Sequence, residues 1–241
     1  MSAMLKFFVV IDINFNFYSD TPKNKDPDSY SPTLRKYHKT LWSKKLPNGS
    51  FFLLDDLTPM RLHHKSELGE FFLSSDSIAN TYSKIKSTSK IIENINTNEI
   101  EKFVSLCSTI GGYIIFPSER INNQMTINGA RGINKKIRDR FDLTLECIRR
   151  YYREEDNPLN ETLKRYSSFF KLFVNFQSYV DFFLLQDLVD NNYSEIKYFI
   201  PFKSFEDSPL PSDINQYKLY KENLSNFVVS RNERIKNFRF S

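Results

Sequence analysis

The chain reads as an α+β protein, a single domain over residues 1–241 with a helix-rich C-terminal half packed on a small mixed or antiparallel sheet. Three observations predict this. Short apolar or alternating runs bounded by turn residues fill much of the first half. Apolar residues at helical spacing dominate after residue 134. No internal repeat occurs, and no linker is long enough to separate two domains.

Residues 7–17 alternate in their second half, with Ile11, Ile13, Phe15 and Phe17 against Asp12, Asn14 and Asn16, and predict a strand. After a polar loop, Ser31 and Pro32 mark a helix start, Ser as N-cap and Pro in the first turn. That helix is expected over 33–43, ending before the turn Pro47-Asn48-Gly49, with a short strand at 51–54. Residues 61–76 predict strand and turn, with Phe71 to Leu73 buried. Helices are expected over 77–93 and 97–109, the second with Asn96 and Glu99 as its capping pair. Gly111-Gly112 ends it, and 113–116 predict a buried strand. The polar stretch 118–134 predicts a hairpin or ordered loop.

The best-defined helix is expected over 134–153, on the stripe Ile137, Phe141, Leu145, Ile148 and Tyr152. Further helices follow over 159–174 and 177–190, the latter apolar nearly all round and so buried. A strand is expected over 196–202, and a last helix from about 213 carries Tyr217, Tyr220, Leu224, Phe227 and Val228.

The 23 Phe and 13 Tyr fall inside these patterns and predict an aromatic core. Cys107 and Cys147 each lie in an apolar run without a CxxC or Cys/His spacing, so two reduced core thiols are expected. The N-terminal run lacks the features of a signal peptide, and no stretch approaches the roughly 20 apolar residues of a membrane span. A cytoplasmic location without a membrane partner is the expectation.

The net charge of +5 is unevenly spread. Arg35, Lys36, Lys39, Lys44 and Lys45 form one basic cluster, and Arg131, Lys135, Lys136, Arg138 and Arg140 begin another. Such clusters suit a polyanion, so Arg35, Lys39, Lys44, Arg138 and Arg140 are candidate phosphate contacts, and nucleic acid or a nucleotide is the expected partner. An acidic protein partner is the alternative. Solvated helix faces explain the same letters.

Reactive residue types are densest at Arg61, His63, His64, Lys65, Ser66, Glu67 and Glu70. In an extended segment His63 and His64 point to opposite faces, so at most one enters a given pocket. A histidine beside Glu67 suits general acid/base work near neutral pH, with Arg131 stabilising phosphate charge. Thr126 to Arg131, with a glycine before the long helix, suits an anion, although neither P-loop nor Rossmann spacing is present. Arg138, Asp142, Glu146 and Arg150 form an i,i+4 ladder that supports a helix. Asp142 and Glu146 lack an assignable third ligand, so no metal site is predicted, and no cofactor is expected. Asp181, Gln186 and Asp187 interrupt an apolar helix, so each must meet solvent or a partner, an arginine from a neighbouring helix being the natural one. Asp142, Glu146 and Asp187 are therefore candidate structural groups.

Five segments together resemble a bacterial domain-of-unknown-function family: DPDSYSPTLRKYHKTLWSK (26–44), LHHKSELGEFFLSSDSI (62–78), TIGGYIIFP (109–117), TINGARGINKKIRDRFDLTLECIRRYY (126–152) and YVDFFLLQDLVDNNYSEIKYFIPF (179–202). The resemblance implies kinship and a compact bacterial protein rather than a fragment, and it carries no activity or catalytic residues. Polar residues dense in these segments, His38 among them, predict a functional pocket where the segments meet.

The function expected from the residues is an enzyme on nucleic acid or a nucleotide, using His63 or His64, Glu67, Arg131 and Arg138 without an obligatory metal, in a toxin or phage-defence setting. The alternatives are a non-catalytic nucleic-acid or protein-binding module and an NAD-dependent ADP-ribosyltransferase.

Overall fold

The structure, a computed structural model, describes residues 10–58 and 61–238. Residues 7–9 of the first expected strand lie outside that range. Residues 10–16 are irregular and lead into a 3-10 turn at Phe17–Asp20. The alternation is overridden by side-chain competition for the backbone: Asp12 Oδ1 accepts from Asn14 N (2.9 Å), and Asn16 Oδ1 from Tyr18 N (3.0 Å).

Helix α1 (Pro27–Tyr30) is one turn capped by Asp26, and α2 (Pro32–Trp42) follows at once. Ser31 caps α2 as its sequence requires, Oγ accepting from Leu34 N at 3.0 Å. Asp20 locks this corner, accepting from Ser31 Oγ (2.6 Å) and Thr33 N (2.9 Å). β1 (Lys44–Lys45) and β2 (Phe51–Phe52) form a small hairpin across Pro47-Asn48-Gly49, where Gly49 takes φ +85°.

β3 (Asp55–Thr58), β4 (Arg61–Ser66) and β5 (Gly69–Ser77) come next, then α3 (Lys86–Ile92), α4 (Thr97–Cys107) and β6 (Tyr113–Pro117). The strands make one antiparallel sheet in the order β3-β4-β5-β6. In β4 and β5 the register pairs Leu62 with Leu73 and His64 with Phe71, all buried, and His63 with Phe72 on the other face. The expected opposition of the two histidines is present.

Gly111 and Gly112 are required by close approach. A Cβ on Gly111 would lie 2.6 Å from Val228 O, and one on Gly112 would lie 1.9 Å from Cys107 O. Gly112→Ala is expected to cost about 3 kcal/mol through forced backbone movement, read as a fall in urea midpoint, whereas Gly132→Ala, in open space on a helix, raises the midpoint slightly.

Helices α5 (Ile127–Ile133), α6 (Phe141–Tyr152), α7 (Asn160–Arg165), α8 (Ser167–Lys171), α9 (Phe176–Phe182) and α10 (Ile214–Lys236) complete the chain. Several expected helices are corrected here. Residues 127–133, expected in a hairpin or loop, are helical and capped by Thr126. The helix expected over 134–153 starts only at Phe141, because Arg138 and Asp139 take φ +45° and +63°. The stretch 77–93 is helical only in α3, and Tyr82 takes φ +56° before it. The stretch 159–174 breaks at Tyr166, and 177–190 breaks at Leu184 with φ +55°. The strand expected at 196–202 is reduced to one bridge, Val189 to Ile196.

α10 lies along the domain with Tyr217, Tyr220, Leu224, Phe227, Val228, Arg231 and Ile235 buried at helical spacing. One continuous core links both halves. It includes a ring cluster in which Phe173 lies 5.0 Å from Phe182 and 5.2 Å from Phe183. Cys107 and Cys147 are both free and buried. Among the described residues, no helix is long and apolar enough to cross a membrane.

Candidate active site

A cleft of about 440 Å³ opens where α1, the end of β5, the 79–85 loop, α4 and the α5–α6 connection meet. Its walls carry Asp26, Asp28, Asp76 and Asp139, with the phenols of Tyr18, Tyr82 and Tyr113. Two backbone outliers, Tyr82 and Asp139, lie on it. A bulky residue at positive φ is costly, and the fold holds both: Asn80 Oδ1 accepts from Tyr82 N (2.8 Å), and Asn80 Nδ2 donates to Asp139 Oδ2 (3.0 Å).

Behind Asp28 runs a directed chain of hydrogen bonds. The Trp42 indole N–H can only donate, and it donates to His38 Nδ1 at 3.0 Å. Neutral His38 therefore carries its proton on Nε2 and donates to Ser75 Oγ (2.9 Å), whose hydroxyl donates to Asp28 Oδ1 (2.7 Å). Burial and the charge of Arg231 depress His38 to about 3, so the imidazole stays neutral. Ser75 is thus no nucleophile with a histidine base, because the facing nitrogen bears a proton. The chain fixes Asp28.

Asp76 is held differently. Arg131, fully buried, donates through Nη1 to Asp76 Oδ2, and its Nε lies 3.1 Å from Asp139 Oδ1. Burial pushes Asp76 up to about 6, with the Arg131 charge opposing and Asp139 adding to the rise. Asp28, by burial first and the neighbouring Asp76 charge second, is pushed up to about 8. At neutral pH the two carboxyls carry about one proton between them, chiefly on Asp28. The three phenols are also pushed up by burial and remain donors.

The residues expected to form the site are scattered. His63 Nε2 meets Glu70 Oε1 at 2.7 Å, and Glu67 stands exposed in the β4–β5 turn. His64 is buried with Nδ1 bonded to Leu53 O (2.9 Å), which makes Nδ1 the protonated nitrogen. Neither histidine meets Arg131. Arg35 and Lys39 both pair with Asp56. Lys44 is enclosed by aromatic rings. Arg138 sits in the left-handed turn before α6, outside the expected ladder. Arg140 is fully buried against Asp142 and also donates to Pro209 O (3.1 Å) and Ile200 O (3.3 Å), so no phosphate reaches it. Among these five, the structure assembles no single phosphate-binding set.

The structural groups behave as their chemistry demands. Asp142 also accepts from Phe199 N (2.8 Å), tying the 199–209 segment to α6. Burial raises Glu146, but hydrogen bonds from Arg149 and Arg150 outweigh it and hold the carboxyl low. Asp187 pairs with Arg234 of α10 (2.8 and 3.0 Å), the expected arginine from a neighbouring helix. Asp181 accepts instead from Gln186 Nε2 and Tyr193 Oη, each at 2.8 Å. Among the described residues, no three His, Cys, Asp or Glu side chains are grouped to hold a metal ion.

Asp28, Ser75, Asp76 and Asp139 were not singled out from sequence. The available signals were an Asp-Pro-Asp at a helix start and a Ser-Asp pair late in a strand. Four of the five segments that carry the family resemblance meet here, through Asp28 and His38, Asp76, Tyr113, and Arg131 with Asp139.

Fold and cleft together define an α+β protein with a carboxylate-rich, tyrosine-lined cleft. The chain belongs to a family of unknown function (DUF6994), whose model matches residues 11–235. No curated protein and no solved structure gives a match.

Proposed function

We propose that the cleft is the active site of a glycosidic-bond hydrolase, with Asp28 as general acid and Asp76 as general base. The observation that carries this reading is a carboxyl pair in one cleft whose surroundings separate their proton affinities about neutral pH. Asp28 would give its proton to the leaving oxygen or nitrogen, and Asp76 would take one from the attacking water. Cleavage of a glycosidic bond develops positive charge on the sugar, and the surrounding carboxylates stabilise it. The cleft volume suits a monosaccharide or nucleoside.

This keeps a nucleotide-like substrate in its nucleoside form and moves the acid and base from His63, His64 and Glu67 to Asp28 and Asp76. A DNA or RNA strand fits less well, because the same carboxylates face its phosphates.

The test is a panel of 4-nitrophenyl glycosides, nucleosides and NAD at pH 7, assayed for released nitrophenol, base or nicotinamide. At least one member is expected to turn over. Asp28→Asn and Asp76→Asn should each lower kcat roughly 10²–10⁴-fold, whereas His63→Ala and Glu67→Ala should change it less than about threefold. Turnover that survives Asp28→Asn overturns the assignment. Ligands that raise the melting temperature without turnover would leave a binding module, and no response from any member would reject the reading.

A further inference from the structure

Apart from this cleft, Lys44 begins β1 and reaches a pocket of about 340 Å³ lined by Leu46, Pro47, Asp181, Phe182 and Phe238. Its Nζ lies 5.1 Å from the Trp42 ring centre, 4.6 Å from that of Phe182 and 4.4 Å from that of Phe238. One N–H donates to Phe182 O (2.5 Å).

Aromatic faces ordinarily favour an ammonium ion. Here the Trp42 ring is shared with a second cation, since the Arg231 guanidinium lies 5.7 Å from its centre. Arg231 is fully buried, and among the described residues its hydrogen-bond partners are the backbone carbonyls of Gly111, Tyr113 and Phe183, with no carboxylate. The Arg231 charge, close to the same indole, opposes a second charge on Lys44. Asp181, on the pocket wall, pulls the other way, with Oδ1 already taken by Gln186 and Tyr193. Lys45, the adjoining residue on the rim, adds positive charge. Burial first and Arg231 second lower the Lys44 amine to about 7, with Asp181 opposing. Near neutral pH a large fraction of it carries a free lone pair.

We propose that Lys44 is a nucleophilic amine that forms an imine with an apolar, preferably aromatic, aldehyde held in this pocket. The nitrogen lone pair attacks the carbonyl carbon and a C–N bond forms. The amine gives up its two protons, and the carbonyl oxygen leaves with them as water. One water is lost, the C=N bond replaces C=O, and nothing is oxidised or reduced. The pocket supplies stacking faces from Phe182 and Phe238. The pocket shares no lining residue with the Asp28–Asp76 cleft.

The experiment treats the full chain with limiting benzaldehyde and cyanoborohydride, which reduces the imine to a stable benzylamine, followed by peptide mass spectrometry. At pH 7, Lys44 is expected to take at least tenfold more label than its exposed neighbour Lys45, with the ratio falling as pH is raised to 10. Lys44→Arg should remove that label while leaving the circular dichroism spectrum unchanged. Asp181→Asn, which removes the opposing carboxylate, should increase labelling of Lys44 at pH 6. Asp28→Asn should leave it unaltered. Equal labelling of Lys44 and Lys45 at pH 7, or a ratio that does not change with pH, overturns the proposal.

Discussion

Arg131→Ala is expected to destabilise the protein by about 3–5 kcal/mol at pH 8, the range seen when one partner of a buried ion pair is removed. Arg131 is fully buried and holds two carboxylates, Asp76 and Asp139. It also donates to the carbonyls of Ser77 (3.4 Å) and Asp139 (3.3 Å), which fastens the end of β5 to the α5–α6 turn. Alanine would leave Asp76 half-buried, charged and facing Asp139. The group that relieves this is a proton. Asp76 already binds one more tightly folded than unfolded, and losing Arg131 strengthens that preference. The deficit should therefore shrink as pH falls toward 5 and the folded chain takes up the proton. Urea unfolding of both proteins at pH 5 and pH 8 measures it. A deficit under 1 kcal/mol, or one equal at both pH values, would show that Arg131 does not anchor the cleft. Arg131→Lys keeps the charge but not the guanidinium fork, and should fall between.

The same residue shows how far the sequence could be read. Arg131 was a candidate because glycines and basic residues precede a helix, but its partners lie 55 and 8 positions away in sequence. Only folding shows that it serves carboxylates rather than phosphate. His63, His64 and Glu67 made the densest cluster on paper, and strand geometry dispersed them: alternation sent the histidines to opposite faces, and the hairpin turn put Glu67 in solvent. Local chemistry was a good guide where it is strong. Ser31-Pro32 starts α2, β6 covers the apolar 113–116 run, and α10 follows its apolar stripe. It was a poor guide at helix breaks. Tyr82, Arg138, Asp139 and Leu184 all take positive φ without being glycine, so nothing in composition marks them. Tertiary contacts hold these positions, and two of them, Tyr82 and Asp139, line the cleft.

Buried charge also connects the two proposed sites. Arg231 lies against the Trp42 ring, and Trp42 sets the tautomer of His38, which orients Ser75 toward Asp28. Its charge contributes to the lowered proton affinity of both His38 and Lys44. One guanidinium, held among the described residues by carbonyls, thus adds to the burial that keeps an imidazole neutral behind one cleft and lowers the amine beside the other pocket.

Asp28→Asn is expected to reverse the usual sense of an active-site substitution by stabilising the protein at alkaline pH while removing the proposed general acid. The Asp28 carboxyl is raised from 3.8 to about 8 in the folded chain. The folded state therefore holds a proton that the unfolded state releases, and this contribution is complete below about pH 4 and lost as pH rises to about 8. Asparagine keeps an oxygen to accept from Ser75 and cannot ionise. The difference in stability between variant and native protein should be near zero at pH 4 and grow in favour of the variant by up to about 1.4 kcal/mol per pH unit until pH 8. Two groups act in the opposite sense. His38, lowered from 6.5 to about 3, costs stability as pH falls below 6.5, and Lys44, lowered from 10.5 to about 7, adds stability as pH rises from about 7 to 10.5. Both titrate in either protein and cancel in the difference. Asp76, raised to about 6 and neighbouring Asp28, acts in the same sense as Asp28, so paired urea curves from pH 4 to 9 report the carboxyl pair with Asp28 as its larger part. Parallel curves would mean that Asp28 ionises as an ordinary carboxyl, and the assignment of a general acid at this position would fall with them.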